Sequence, residues 1–136
     1  RYRARYSRNI SDKALHAIKS TGGVVGIMAY PPYLKNASQE LDGRTPKVLQ
    51  RSATVDDYVA HVDYVAKTIG VDYVGFSTDG FLDGSHVRNR KADGILDSPQ
   101  RWKAVVLRLH AMGYSKADLQ KIMGQNFLRV YRSVLK

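Results

Sequence analysis

Apolar positions come in blocks along this chain, and the spacing inside each block predicts an element. Ala14, Leu15 and Ile18 recur at helical spacing behind Ser11, whose hydroxyl suits an N-cap, and Asp12, whose charge suits a first turn. Gly22-Gly23 predicts the end of that helix. Val24–Tyr30 is a continuous apolar run with a β-branched start and no alternation, which predicts a strand buried on both faces and closed by Pro31-Pro32. Residues 34–53 are polar and irregular and read as a long loop. Thr54 and Asp57 then approximate a capping box. Behind them Val55, Tyr58, Val59, Val62, Val65, Ala66 and Ile69 form one apolar stripe, with Gly70 as its stop. Val71–Ser77 predicts a second buried strand, and residues 78–98 a second long loop. Trp102, Val105, Val106 and Leu109 mark a helix ending near Gly113. Ser115 with Asp118 opens a short helix that stops at Gly124, and Phe127, Leu128, Val130, Tyr131 and Val134 predict a last one.

Strands alternating with helices imply an α/β fold with parallel strands joined by right-handed crossovers. Two strands do not make a stable doubly covered sheet, so the chain reads as one partial domain, 1–136, of a larger assembly, a (β/α)8 barrel. The loops after both strands then leave from the same end, where barrels place their chemistry.

Composition narrows the classes. A hydrophobic content of 43% is that of a globular protein. No apolar run has the length of a membrane span, and neither the charged start nor the end at Lys136 reads as a signal peptide or an anchor signal. Cysteine is absent, which excludes disulfides and thiolate metal sites and leaves the compartment open. The net charge of +10 favours anionic partners, yet the basic residues are dispersed. Their one dense cluster is Arg1, Arg3, Arg5 and Arg8 with Tyr2 and Tyr6, which suits either single-stranded nucleic acid or, the reading preferred here, a solvated or partner-facing loop.

Asp79 is the most informative candidate, because it follows the second strand directly on the edge where a barrel carries catalytic groups. A carboxylate there can ligate a metal or move a proton, while an Asp-Gly pair also serves as a simple turn; position alone leaves both open. Asp83-Gly84 and Asp93-Gly94 read as turns, since their spacing fits no calcium loop. His16, His61 and His110 fall singly on predicted helices and read as packed or surface side chains, with Asp57 at helical spacing from His61. His86 lies in the second loop. No phosphate loop, dinucleotide fingerprint or nucleophile elbow is present.

Beyond the residues' own chemistry, the chain resembles the membrane (renal) dipeptidase family. Arg8-Asn9-Ile10-Ser11-Asp12 and Gly22-Gly23-Val24-Val25-Gly26 are similar to its Arg-Asn-x-x-Asp and Gly-Gly-Val-x-Gly segments. Residues 54–63 resemble the helix before its last barrel strand, and Val71–Asp79 the strand itself. Gly113-Tyr114-Ser115 and Gly124-Gln125-Asn126-Phe127-Leu128-Arg129-Val130 resemble its closing signature, and the segments occur in family order along almost the whole chain. The resemblance implies a metal-dependent (β/α)8 barrel that hydrolyses dipeptides, often with two zinc ions that polarise the attacking water. It implies that Asp79 is the acid/base carboxylate, that Arg8 holds the substrate carboxylate, and that Tyr33 lines the substrate pocket. The family's metal ligands lie upstream of its Arg-Asn segment, so no metal ligand is assigned in this chain. Two departures stand out: Asp83 comes later than in the family's Asp-x-Asp-Gly, and Tyr64 stands where a second histidine is usual.

Three functions follow. The first is a zinc-dependent dipeptidase represented by its C-terminal part, with the rest of the barrel as partner, a dipeptide as substrate and a homodimer as the family's frequent state. The second is a truncated remnant or scaffold without chemistry. The third, a nucleic-acid-binding module, leaves two buried strands and Asp79 unexplained, and no nucleic acid is expected.

Overall fold

The computed structural model describes residues 9–34, 53–78, 96 and 98–135. Helix α1 spans Asp12–Ser20, with Ser11 Oγ accepting from Ala14 N. It stops where Gly22 takes a positive φ of 73° that a side chain would resist, placing its N–H on Lys19 O at 3.0 Å. Strand β1 is Val25–Met28, and Pro31–Leu34 forms a single helical turn, α2. Helix α3 is Val55–Ile69, strand β2 is Val74–Ser77, and helices α4 (Arg101–Ala111), α5 (Lys116–Gln120) and α6 (Asn126–Val134) complete the order.

The two strands pair parallel in the register Val25↔Val74 to Met28↔Ser77. Helix α3 is the crossover between them, and its buried residues Tyr58, Val59, Val62, Val65 and Ile69 are the stripe the sequence predicts. Both capping boxes form, Thr54 with Asp57 and Ser115 with Asp118. The α/β expectation thus holds, with two parallel strands and flanking helices.

Several local expectations need correction. Both strands are shorter than their apolar runs: Val71–Tyr73 makes a tight 3-10 turn before β2, and Pro31-Pro32 opens α2 because proline fits a first helical turn. The expected break at Gly124, by contrast, is present: its backbone is non-helical (φ 171°, ψ −24°), and the chain kinks there before α6. Burial is also one-sided on β1, where Ile27 is buried but Gly26 is exposed. Phe127 lies against the second face of that strand: an added Cβ at Gly26 would meet its Cζ at 3.4 Å, and one at Gly75 would meet its Cδ2 at 3.0 Å.

The core lies on the opposite face, between the sheet and helices α1, α3 and α4. Tyr58, Phe76 and Trp102 knit α3, β2 and α4 together, with Phe76 and Trp102 stacked at 5.1 Å and Tyr58 tilted onto both at 5.9 Å. Inside this core the Tyr58 hydroxyl donates to Ile27 O at 2.6 Å and accepts from Ser77 N at 3.4 Å, tying the helix to the last turn of both strands. Burial holds that phenol well above its ordinary pKa, so it remains a neutral donor. Among the described residues no helix is long and apolar enough to cross a membrane.

Candidate functional site

Parallel pairing sends the segments that follow β1 and β2 out of the same edge of the sheet. On the β1 side the chain passes through Ala29, whose N–H donates to Ser77 O at 3.1 Å, and then enters α2. So short a helix leaves carbonyls without internal partners. Asn9 Nδ2 donates to Tyr33 O at 2.9 Å, and His61 Nε2 lies 3.2 Å from Leu34 O, a carbonyl that only accepts, so this nitrogen carries the proton. Tyr30 and Tyr33 pack edge to face at 4.9 Å within the same turn. The segment that begins at Asn9, the post-β1 turn and the middle of α3 are therefore pinned to one another. His61 orients this turn, while the Asp57 carboxylate closes the α3 cap by accepting from Thr54 N at 2.8 Å and from Thr54 Oγ1 at 2.7 Å.

A cleft of about 220 Å³ opens beside these groups, with Asn9, Tyr33, His61 and Tyr64 at its polar end and Val25–Met28 along its wall. Tyr64 donates to Asp12 Oδ1 at 2.7 Å, and this bond chiefly holds the Asp12 carboxyl below its usual range. The tyrosine in the place of the family's histidine thus braces α3 against the start of α1.

On the β2 side, Thr78 is the last described residue of the strand's exit. Its Oγ1 accepts from Arg101 Nη1 at 3.1 Å. Arg101 opens α4, is 2% exposed, donates through Nε to Ser98 O at 3.0 Å, and lies 5.6 Å from the Trp102 ring. Sequence reasoning missed it, because arginine is seldom buried and no local spacing marks this one.

The three residues expected to carry the chemistry fare differently. Tyr33 lies at the post-β1 turn and lines the cleft. Asp79 and Arg8 fall outside the described residues, each one position from a described neighbour, Thr78 and Asn9. The structure thus brings Tyr33, Asn9 and His61 together. His86, Asp83 and the Arg/Tyr cluster at residues 1–8 also fall outside the described residues. Among the described residues no three His, Cys, Asp or Glu side chains converge as a metal would require.

The far end of the sheet has a different character. Asn126, 3% exposed, donates through Nδ2 to Val71 O and Val74 O, both at 2.8 Å. Arg129 donates to Gly22 O at 2.5 Å, Gly23 O at 3.2 Å and Asp72 O at 2.9 Å, with its guanidinium 5.6 Å from the Tyr73 ring. The Gly-x-Asn-x-x-Arg signature is thereby a clamp on the chain entering both strands, opposite the edge that carries the cleft.

Comparison with known proteins decides the family. The profile of the membrane dipeptidase family, peptidase family M19, matches residues 3–136. The chain belongs to the membrane dipeptidase family. Among its dipeptidase relatives, tcpJ of Claviceps purpurea is 32% identical over 129 residues, which are 93% of this chain and 26% of the relative. Dipeptidase ataJ of Aspergillus terreus is 31% identical, over 93% of this chain and 27% of the relative. The crystal structure of the probable dipeptidase PvdM from Pseudomonas aeruginosa superposes with a TM-score of 0.74 at 24% identity, covering 93% of this chain and 41% of that one, and shows the fold. The chain spans about a quarter of the length of these two curated dipeptidases.

Proposed function

We propose that this chain is the C-terminal part of a zinc-dependent dipeptidase and supplies its acid/base and substrate-side residues. The observation that carries the reading is the family match over residues 3–136, joined to the parallel register that sends the post-β1 and post-β2 segments out of one edge. In this reading Asp79, directly after the β2 exit, takes a proton from the attacking water and returns it to the leaving amine nitrogen. Arg8 pairs with the substrate carboxylate through its planar fork of donors. The bond from Asn9 to Tyr33 O supports a shared neighbourhood for Arg8 and the post-β1 turn, whose Tyr33 lines the substrate pocket. The family resemblance puts the metal ligands upstream of the Arg8-Asn9 segment, and in this reading the zinc is held by residues of the protein outside this chain.

Two features support a partner for the fold itself. β1 pairs with β2 on one side only among the described residues, and Val25–Met28 line an apolar cleft beside it. α6 also leaves Leu128 and Tyr131 about half exposed. The remainder of the barrel covers such surfaces in this reading, and the 136 residues by themselves are inactive. The full-length protein is expected to hydrolyse dipeptides, and Asp79→Asn is expected to abolish turnover with zinc content unchanged. Unchanged turnover in that variant refutes the role given to Asp79. Absence of dipeptide hydrolysis by the zinc-loaded wild type favours the remnant instead.

A further inference from the structure

A helix of four residues is too short to hold itself, and α2 opens on two prolines, which have no N–H to give. Its internal bond runs from Tyr33 N to Tyr30 O at 2.9 Å. The carbonyls at its end, Tyr33 O and Leu34 O, belong to the set that a helix leaves without internal partners. Yet this weak turn carries Tyr33, which lines the cleft, at the edge of the sheet where both strands end.

Both carbonyls are met from outside the turn, by side chains of two other segments. Asn9 Nδ2 donates to Tyr33 O at 2.9 Å from the stretch before α1, and His61 Nε2 donates to Leu34 O, 3.2 Å away, from the middle of α3. Ahead of the turn, Ala29 N donates to Ser77 O at 3.1 Å, and at its end the Leu34 side chain is buried in the core. The backbone on both sides of Tyr33 is thereby tied to the sheet, to α3 and to the approach to α1. The Tyr33 ring packs edge to face on Tyr30 at 4.9 Å, within the same turn, so the direction of the ring follows that of the backbone.

We propose that His61 and Asn9 are positioning residues for substrate binding: by holding the two carbonyls they keep Tyr33 in place on the wall of the pocket. The inference rests on the substrate-lining role proposed for Tyr33. Positioning of this kind acts on affinity. Once a pin is lost the turn samples other orientations, and only a fraction of the molecules present Tyr33 correctly. The apparent dissociation constant then rises by the inverse of that fraction. The chemical step in bound substrate is untouched, so KM rises while kcat holds.

The test uses full-length, zinc-loaded protein and steady-state hydrolysis of alanyl-alanine. His61→Phe keeps a ring and deletes the donor, whereas His61→Gln keeps an N–H donor at similar reach. The expected result is a KM about 3- to 10-fold higher for His61→Phe with kcat within about twofold, and a KM within about twofold of wild type for His61→Gln. Asn9→Asp, which turns a carboxylate toward Tyr33 O, should raise KM by a similar factor. Tyr33→Ala should raise KM at least as far. Adding His61→Phe to Tyr33→Ala should raise it no further, because the histidine acts through the tyrosine. Wild-type KM in His61→Phe or in Asn9→Asp, with a raised KM in Tyr33→Ala, overturns the inference and leaves the dipeptidase reading standing. So do multiplicative losses in the double variant, or a His61→Gln as impaired as His61→Phe. If His61→Phe does not fold, Asn9→Asp and its double variant with Tyr33→Ala decide alone. A Tyr33→Ala with wild-type KM, or a wild type without dipeptide turnover, removes the underlying reading and the inference with it.

Discussion

Asn126 offers the most direct test of how this fold is held. Its amide is buried, and its Nδ2 group gives both of its hydrogens to main-chain carbonyls, Val71 O and Val74 O, at 2.8 Å each. Val74 is fully buried, so the carbonyl left behind in Asn126→Ala has little access to water. A net loss near 1 kcal/mol for each bond, raised by desolvation of the inner carbonyl, gives a destabilisation of about 2–3 kcal/mol. Asn126→Asp separates hydrogen bonding from shape. It preserves the volume but exchanges the two donors for a carboxylate that faces two carbonyls. Its loss should equal or exceed that of Ala. The assay is urea unfolding of the full-length protein followed by circular dichroism, with hydrogen exchange to localise the effect to β2 and its entry turn. If Asp is tolerated while Ala is not, Asn126 merely fills space and the clamp argument fails. A loss below about 0.5 kcal/mol in both variants refutes it outright.

Gly75→Ala drives a Cβ into the Phe127 ring and should cost about 1–3 kcal/mol, largely recovered by Phe127→Leu in a double-mutant cycle; additive losses would deny that contact. Tyr58→Phe keeps the ring but deletes the bond to Ile27 O, and a loss of about 1–2 kcal/mol in chemical unfolding is expected, with no loss meaning that the bond contributes nothing net. Tyr64→Phe removes the chief cause of the lowered Asp12 pKa, which gives the wild type an advantage only where Asp12 is ionised. The folded pKa lies below the ordinary aspartate value of 3.8, so that advantage is present above it and disappears as pH falls through the lower folded value. The two proteins should converge in stability at strongly acidic pH, and a constant gap across an acid titration would contradict the linkage.

What the chain alone determined was local and periodic. The α3 stripe, the two capping boxes and the stops at Gly22 and Gly70 were legible because each depends on residues a few positions apart, through side-chain spacing or backbone freedom. The ordered motifs also carried the family and its α/β class. Strand limits were less legible, since an apolar run such as Val71–Ser77 says that residues are buried but not which of them pair. What only the tertiary structure decided were the long-range polar contacts. Asn9 to Tyr33, His61 to Leu34, Arg101 to Thr78 and Arg129 to Gly22 join residues from 23 to 107 positions apart. A hydrogen bond depends on two groups meeting in space, and no spacing along the chain records which distant carbonyl or hydroxyl a side chain will reach. That is why nothing in the sequence marks Arg101, whose side chain is buried in the fold.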